Sequence, residues 1–108
     1  MRLNAYDIFI AYVSWSNGGK SRPVLILEQS GNDSVVAFNI TTKYKNKSEI
    51  VRSRFFEIVD WQQAGLTQQS YVDVNKAINI SLSAVDTDNL IGKLSKSDIY
   101  RLLEFLDS

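Results

Sequence analysis

The sequence predicts a mainly β chain with added α: a small, strongly curved sheet or barrel with one C-terminal helix. Three observations predict it. Short apolar stretches, alternating or continuous, recur along the chain and are separated by turn residues. The period changes only near the end, where Ile99, Leu102, Leu103 and Leu106 fall at i, i+3, i+4 and i+7. At 108 residues there is room for one domain with a modest core, expected to span 1–108.

The elements follow in order. Asp7–Trp15 is rich in Tyr, Ile, Phe, Val and Trp and reads as a strand. Apolar residues stand in both of its alternating sets, so both faces are expected to be covered. Asn17-Gly18-Gly19 is a breaker cluster, and Ser16–Ser21 is expected to be a loop. Pro23 lacks an N–H and suits the first residue of a strand. Val24–Glu28 is the second strand, Gln29–Asp33 a turn, and Ser34–Ile40 a third strand forming a hairpin with the second. Thr41–Lys47 breaks the apolar pattern. Ser48–Arg52 reads as a short strand and Phe55–Val59 as another extended piece. Asp60–Leu66 is one helical turn, with Asp60 as N-cap and Gly65 as the stop. Ser70–Leu82 alternates Val72, Val74, Lys76, Ile78 and Ile80 against polar neighbours, which predicts one long strand. Ser95-Lys96-Ser97-Asp98 has capping-box spacing and opens the final helix, packed on the sheet by its apolar stripe.

Composition narrows the function. Twelve basic and twelve acidic residues cancel. That argues against bulk coating of nucleic acid and leaves a local basic patch open. There is no cysteine, hence no disulfide or thiolate chemistry, and no histidine, the commonest acid–base residue and metal ligand. No metal site is expected, since the carboxylates show no paired spacing. No apolar run approaches the length of a membrane span. Met1–Asn4 runs straight into a strand pattern without an apolar leader core, so the expected compartment is the cytosol.

The chemistry-bearing candidates cluster in the first half. Arg22 sits between the Gly18-Gly19 breaker and a buried strand. A guanidinium there is either a surface charge flanking a turn or an anion ligand that grips phosphate bidentately. Glycine backbone at Gly18 and Gly19 allows close approach of a ligand. Thr41 and Thr42 end the third strand, where a hydroxyl is either plain β-propensity or a donor to a phosphoryl oxygen. Lys43, Lys45 and Lys47 alternate around Tyr44, with Arg52 and Arg54 close behind. That run is either a solvated loop or a groove for single-stranded nucleic acid, where cations track the backbone and a ring stacks on a base. Trp15 and Trp61 are expected to be core or interface anchors.

Several of these stretches together resemble a known family. They are Tyr-Asp-Ile-Phe-Ile-Ala-Tyr-Val at 6–13, Ser-Arg-Pro-Val-Leu-Ile-Leu at 21–27, and Asn-Ile-Thr-Thr at 39–42. Val-Asp-Trp-Gln-Gln-Ala-Gly-Leu at 59–66 and Ile-Gly-Lys-Leu-Ser at 91–95 complete the set. In this order, along nearly the whole chain, the sequence resembles the MazF/PemK (Kid) toxins of bacterial toxin–antitoxin systems. The resemblance implies an SH3-like or CcdB-like β-barrel with added helices, a homodimer, and a cognate antitoxin protein as partner. It implies a metal-independent endoribonuclease without cofactor. Such an enzyme cuts single-stranded mRNA by 2′-OH attack, leaving a 2′,3′-cyclic phosphate and a 5′-OH.

The family's key arginine falls on Arg22. Its key threonine falls on Thr41, with Thr42 one register step away. The RNA path would run along Ser16–Ser21, including Gly18, Gly19 and Lys20, and along Thr42, Lys43, Tyr44, Lys45 and Lys47. The sequence departs from the family at three places. Tyr6 stands where many members have glycine, and Asp73 and Asn75 stand where PemK-like members carry an arginine and an aspartate. Arg52 or Lys76 would then supply the missing charge. The alternative is a non-catalytic binding module on the same fold: either an inactive family member or a gyrase-binding toxin, the latter dependent on exposed apolar residues near the C-terminal helix.

Overall fold

The computed structural model describes residues 2–108. It comprises strands β1 (Asp7–Trp15), β2 (Gly18–Ser30) and β3 (Ser34–Thr41), helix α1 (Glu49–Arg52), strands β4 (Phe55–Ile58), β5 (Ser70–Asp73), β6 (Ile78–Ser81) and β7 (Val85–Lys93), and helix α2 (Lys96–Leu106). A 3-10 turn, Leu82–Ala84, links β6 to β7. The pairing is antiparallel in the order β4-β5-β3-β2-β1-β7, with β6 also on β3. The small, curved, barrel-like sheet with a C-terminal helix is the expected fold class.

The first hairpin is tighter than expected. Trp15 pairs with Gly18, so only Ser16 and Asn17 remain as the turn. The predicted loop Ser16–Ser21 is therefore mostly ladder: Gly19, Lys20, Ser21 and Arg22 pair with Ser14, Val13, Tyr12 and Ala11. Pro23 is also interior to β2, opposite Ile10. Its missing N–H is tolerated because the β3 ladder on β2 stops at Val24↔Asn39, one residue short of it.

The predicted long strand Ser70–Leu82 is broken in two. Its halves both lie along β3, β5 against Ile40 and Thr41 and β6 against Ser34–Ala37. Between them the outer chain carries residues 73–77 past only Phe38 and Asn39. An Asx turn absorbs the excess: the Asn75 N–H donates to Asp73 Oδ1 at 3.1 Å. The predicted strand at Ser48–Arg52 is instead a helical turn, α1, because Ser48 Oγ caps it by accepting from the Val51 N–H at 3.3 Å. Strand β7 was not expected from the sequence. It has polar, exposed residues such as Asp86, Asp88 and Asn89, and its pairing with β1 shifts register twice, so no clean alternation marks it.

Both faces of the central strands are covered, as the double alternation predicts. Ile8, Leu25, Phe38 and Ile40 point into one cluster with Phe56, Ile58, Val72 and Leu102. Phe9, Ala11, Val24, Ile26, Val35 and Ala37 point into the other, capped by Ile78, Ile80 and Leu82. Helix α2 covers the first cluster, but through a different stripe from the predicted one. Leu102 is fully buried and Ile99 and Phe105 pack beside it, whereas Leu103 and Leu106 are exposed. The rotation follows from Asp98. This carboxylate is buried completely and accepts from the N–H groups of Val59 at 3.2 Å and Asp60 at 2.8 Å. It therefore reaches across to the neighbouring turn instead of back to its own N-cap. Ser95 caps α2 by accepting from the Asp98 N–H at 3.0 Å.

The turn at Val59–Gly65 carries i+4 and i+3 bonds, Ala64 N–H to Asp60 and Gly65 N–H to Gln62, as expected for one helical turn. The Asp60 side chain, predicted to cap that turn, accepts instead from Ser95 Oγ at 2.6 Å and sits 3.6 Å from Arg101. Gly65 ends the turn at φ +88°. There the chain presses directly on β7: a Cβ on Gly92 would run into the Ala64 carbonyl oxygen.

Candidate nucleic-acid interface

Where β3 parts from β2, it opens a cleft. Continued two residues past Val24↔Asn39, the β2–β3 register sets Arg22 opposite Thr41. Thr41 then pairs onward with Tyr71 of β5. Arg22 follows Val24 and Ile26 at period two, so its stem extends the apolar face into the cleft. Arg22, Thr41, Lys20 and Lys43 all line two adjoining cavities of about 190 and 350 Å³. The smaller also takes in Pro23 and the buried Ser70; the larger takes in Trp15, Asn39, Lys47, Phe55 and Asp73.

The polar groups of this cleft are short of partners. Arg22 Nε is buried and bonded to nothing, and so is Asn39 Oδ1. Buried polar atoms are ordinarily satisfied, so both are exceptions that still want a hydrogen-bond partner. Among the described residues, no carboxylate is ion-paired with Lys20, Arg22, Lys43 or Lys47. Thr41 Oγ1 accepts from the Lys43 N–H at 3.1 Å, which leaves its own proton available for donation into the cleft. Thr42 is more exposed and lines the smaller cavity without reaching the larger.

The remaining candidates divide. Tyr44 and Lys45 line a neighbouring cavity of about 330 Å³ with Gln69 and Tyr71. Tyr44 stacks on Tyr71 with ring centroids 4.1 Å apart and planes 5° apart, and Arg52 lies over the Tyr44 ring at 5.7 Å. A protein ring thus occupies one face of Tyr44. Burial, then the charge of its cross-strand partner Glu57, then Tyr44 raise the Tyr71 phenol above the usual tyrosine pKa.

Gly18 and Gly19 are at the hairpin tip and line neither cavity of the cleft. A Cβ on Gly19 would stand 2.6 Å from the Tyr12 hydroxyl, so that glycine makes room for a ring of the protein itself. Lys76 lies in a separate groove of about 560 Å³ with Tyr12, Ile78 and Ile80 and does not join Arg22. Among the described residues no group of three or more His, Cys, Asp or Glu side chains could hold a metal ion. Among the described residues no helix is long and apolar enough to cross a membrane.

Sequence reasoning did not place Asn39 or Phe55 in the cleft, it set Asp73 in the RNA groove only through the family pattern, and it gave Trp15 a core or interface role. The indole is half exposed and lines the larger cavity. Asn39 carried the one available signal, an amide between Phe38 and Ile40 in an otherwise apolar strand.

Among solved structures the fold is similar to the Mycobacterium tuberculosis toxin MazF-mt6. The two superpose with a TM-score of 0.69 and 25% identity, over 92% of this chain and 90% of that one. By its structure this chain resembles the MazF/PemK toxins. No protein-family profile and no curated protein sequence matches it, so the tie rests on the arrangement of its strands. One departure from the MazF/PemK pattern now has a physical meaning. Tyr6, where a glycine is expected, has φ +71°, in the left-handed region glycine enters freely. Two backbone bonds hold it there, Tyr6 N–H to the Ile26 carbonyl at 2.7 Å and Leu94 N–H to the Tyr6 carbonyl at 3.1 Å. Its ring packs on the first core cluster.

Proposed function

We propose that this chain is a toxin that cuts single-stranded RNA at short sequences. The observation that carries the reading is the pairing of Arg22 with Thr41 in one cleft, with Arg22 Nε buried and unpartnered. In the proposed reaction the ribose 2′-oxygen bonds to the adjacent phosphorus and the bond from phosphorus to the 5′-oxygen breaks. The 2′-oxygen loses one proton and the 5′-oxygen gains one, giving a 2′,3′-cyclic phosphate and a 5′-OH. Negative charge builds on the non-bridging oxygens as the phosphorus becomes five-coordinate. Arg22 stabilises that charge and assists the leaving oxygen; a guanidinium hardly deprotonates, so it is not the base. The Thr41 hydroxyl donates to the same phosphoryl group. Such preorganised donors contribute most where charge develops in the transition state. Lys20, Lys43 and Lys47 hold the flanking phosphates. We further propose the cytosol as its compartment, a homodimer, and an antitoxin whose disordered acidic tail covers the basic cleft.

The test is cleavage of a long single-stranded RNA in EDTA with end-group analysis. Wild type should give discrete fragments with cyclic-phosphate ends. Arg22→Ala and Thr41→Val should each lower the rate on the order of 10²–10³-fold without unfolding. Intact RNA across varied sequences at high protein concentration would refute the assignment.

One observation favours a second reading, a binding module. Tyr100, Leu103 and Leu106 of α2 are exposed apolar residues, as that alternative requires. Growth inhibition that survives Arg22→Ala and is lost on Leu103→Lys would select it.

A further inference from the structure

We propose that the larger cavity beside Arg22 binds one nucleobase of the RNA and selects guanine there, through Asp73 and Asn39. The proposal rests on the RNA-cutting reading for the class of ligand and goes beyond it in assigning a base.

Asp73 is a carboxylate inside a phosphate-binding cleft, sharing its cavity with Lys20, Arg22, Lys43 and Lys47. It is ion-paired with none of them among the described residues. Facing a phosphate it would repel the ligand, so its productive partner is a donor. Its orientation is fixed, because Oδ1 accepts from the Asn75 N–H at 3.1 Å. The second oxygen has no hydrogen bond among the described residues and is available to the cavity. Asn39 Oδ1 adds another acceptor, buried and unpartnered, in the same cavity. Two acceptor-bearing residues on the wall of one cavity suit a ligand with more than one N–H.

In a single-stranded RNA such N–H groups come from a base edge, which an unpaired base leaves open. Guanine alone sets two donors side by side there, its N1–H and its exocyclic amine. Adenine and cytosine place a ring-nitrogen lone pair next to the amine, and uracil flanks its one N–H with two carbonyl oxygens. Each of those would face the carboxylate with repulsion. The walls fit a planar base as well: the half-exposed Trp15 indole and Phe55 line the cavity and offer aromatic surface for stacking. Arg22 is a neighbour in the same cavity, so the base read here adjoins the phosphate that Arg22 holds.

The experiment measures binding of short 2′-O-methyl oligonucleotides, which lack the attacking hydroxyl and are not cut, varied one base at a time. Wild type should favour guanine at one position by about tenfold or more, the usual weight of a good paired contact to a base edge. Asp73→Asn keeps an acceptor for the Asn75 N–H and so preserves the turn. It should remove most of that preference while leaving affinity for the other bases unchanged or higher. No guanine preference in wild type, or an Asp73→Asn variant that shifts all bases alike, overturns the proposal. Cleavage of ordinary RNA is scored beside it. A chain that cuts RNA with no guanine preference loses the base assignment and keeps the ribonuclease reading. One that prefers guanine and never cuts loses the ribonuclease reading and keeps the pocket.

Discussion

Removing the Asp98 carboxylate should destabilise the fold more than any change in the cleft. Asp98 is completely buried and receives four hydrogen bonds, from the Val59 and Asp60 N–H groups and from Arg101 Nε and Nη2 at 3.1 and 2.8 Å. Arg101 is partly exposed, with 43% of its side chain open to solvent, so water replaces its share in an alanine variant. The two backbone donors lie at a part-buried junction and lose a charged acceptor. At about 1.5–3 kcal/mol for each such bond, Asp98→Ala should cost about 3–6 kcal/mol. A domain of this size has about 5–15 kcal/mol in total. Urea unfolding followed by circular dichroism reads it: with a slope of about 1–3 kcal/mol per molar, the midpoint falls by a molar or more. Asp98→Asn retains one acceptor oxygen and should cost about half as much. Asp98 lies outside the Arg22 cleft, so cleavage per folded molecule should not change. A loss below about 1 kcal/mol for the alanine variant would show that the carboxylate does not tie α2 to the Val59–Gly65 turn.

The other predictions address packing, titration and charge. Gly92→Ala drives a Cβ into the Ala64 carbonyl, a backbone contact that no rotamer change relieves; it should cost roughly 1–3 kcal/mol, read as a lower melting temperature. Tyr71 is held above the ordinary tyrosine pKa of 10.0, burial first and Glu57 second. Because its folded-state pKa is raised, its contribution to stability is complete below pH 10 and is lost as pH climbs through the raised value. Glu57→Gln should move its phenolate absorbance titration back toward the ordinary range. Binding of uncleavable single-stranded RNA should weaken with salt at a log–log slope of about −3 if Lys20, Arg22, Lys43 and Lys47 each neutralise a phosphate, at about −0.7 per contact. Lys47→Ala should flatten that slope by about 0.7.

Elements with strong local signals were legible in the sequence. Strand β1, the β2–β3 hairpin and the start of α2 follow from apolar period, turn residues and a serine N-cap. Elements whose form depends on neighbours were not. Strand β7 has little alternation because it runs along a bulged edge, and α1 was misread because four residues show no period. The α2 stripe fits a helix in isolation, but the bond from Asp98 to the Val59–Asp60 backbone sets which face turns inward.

The same division runs through the cleft. Local chemistry made Arg22, Thr41 and Thr42 candidates, since a guanidinium before Pro23 and hydroxyls ending a strand are visible in one dimension, and the resemblance to the MazF/PemK pattern chose Arg22 and Thr41 among them. Their juxtaposition was not, because it depends on the β2–β3 register. Gly19, Lys76 and Tyr44 have the right residue types, yet tertiary packing gives them to Tyr12, to another groove and to Tyr71. Asp73, a departure from the family pattern in sequence, shares a cavity with Arg22 because β5 pairs with β3 where β3 parts from β2. Which side chains carry charge, and where the strongly periodic strands β1 to β3 lie, are properties of the residues and their period and can be read in one dimension. Which residues meet, and what form the weakly periodic stretches take, depend on register and bulges that join residues far apart along the chain.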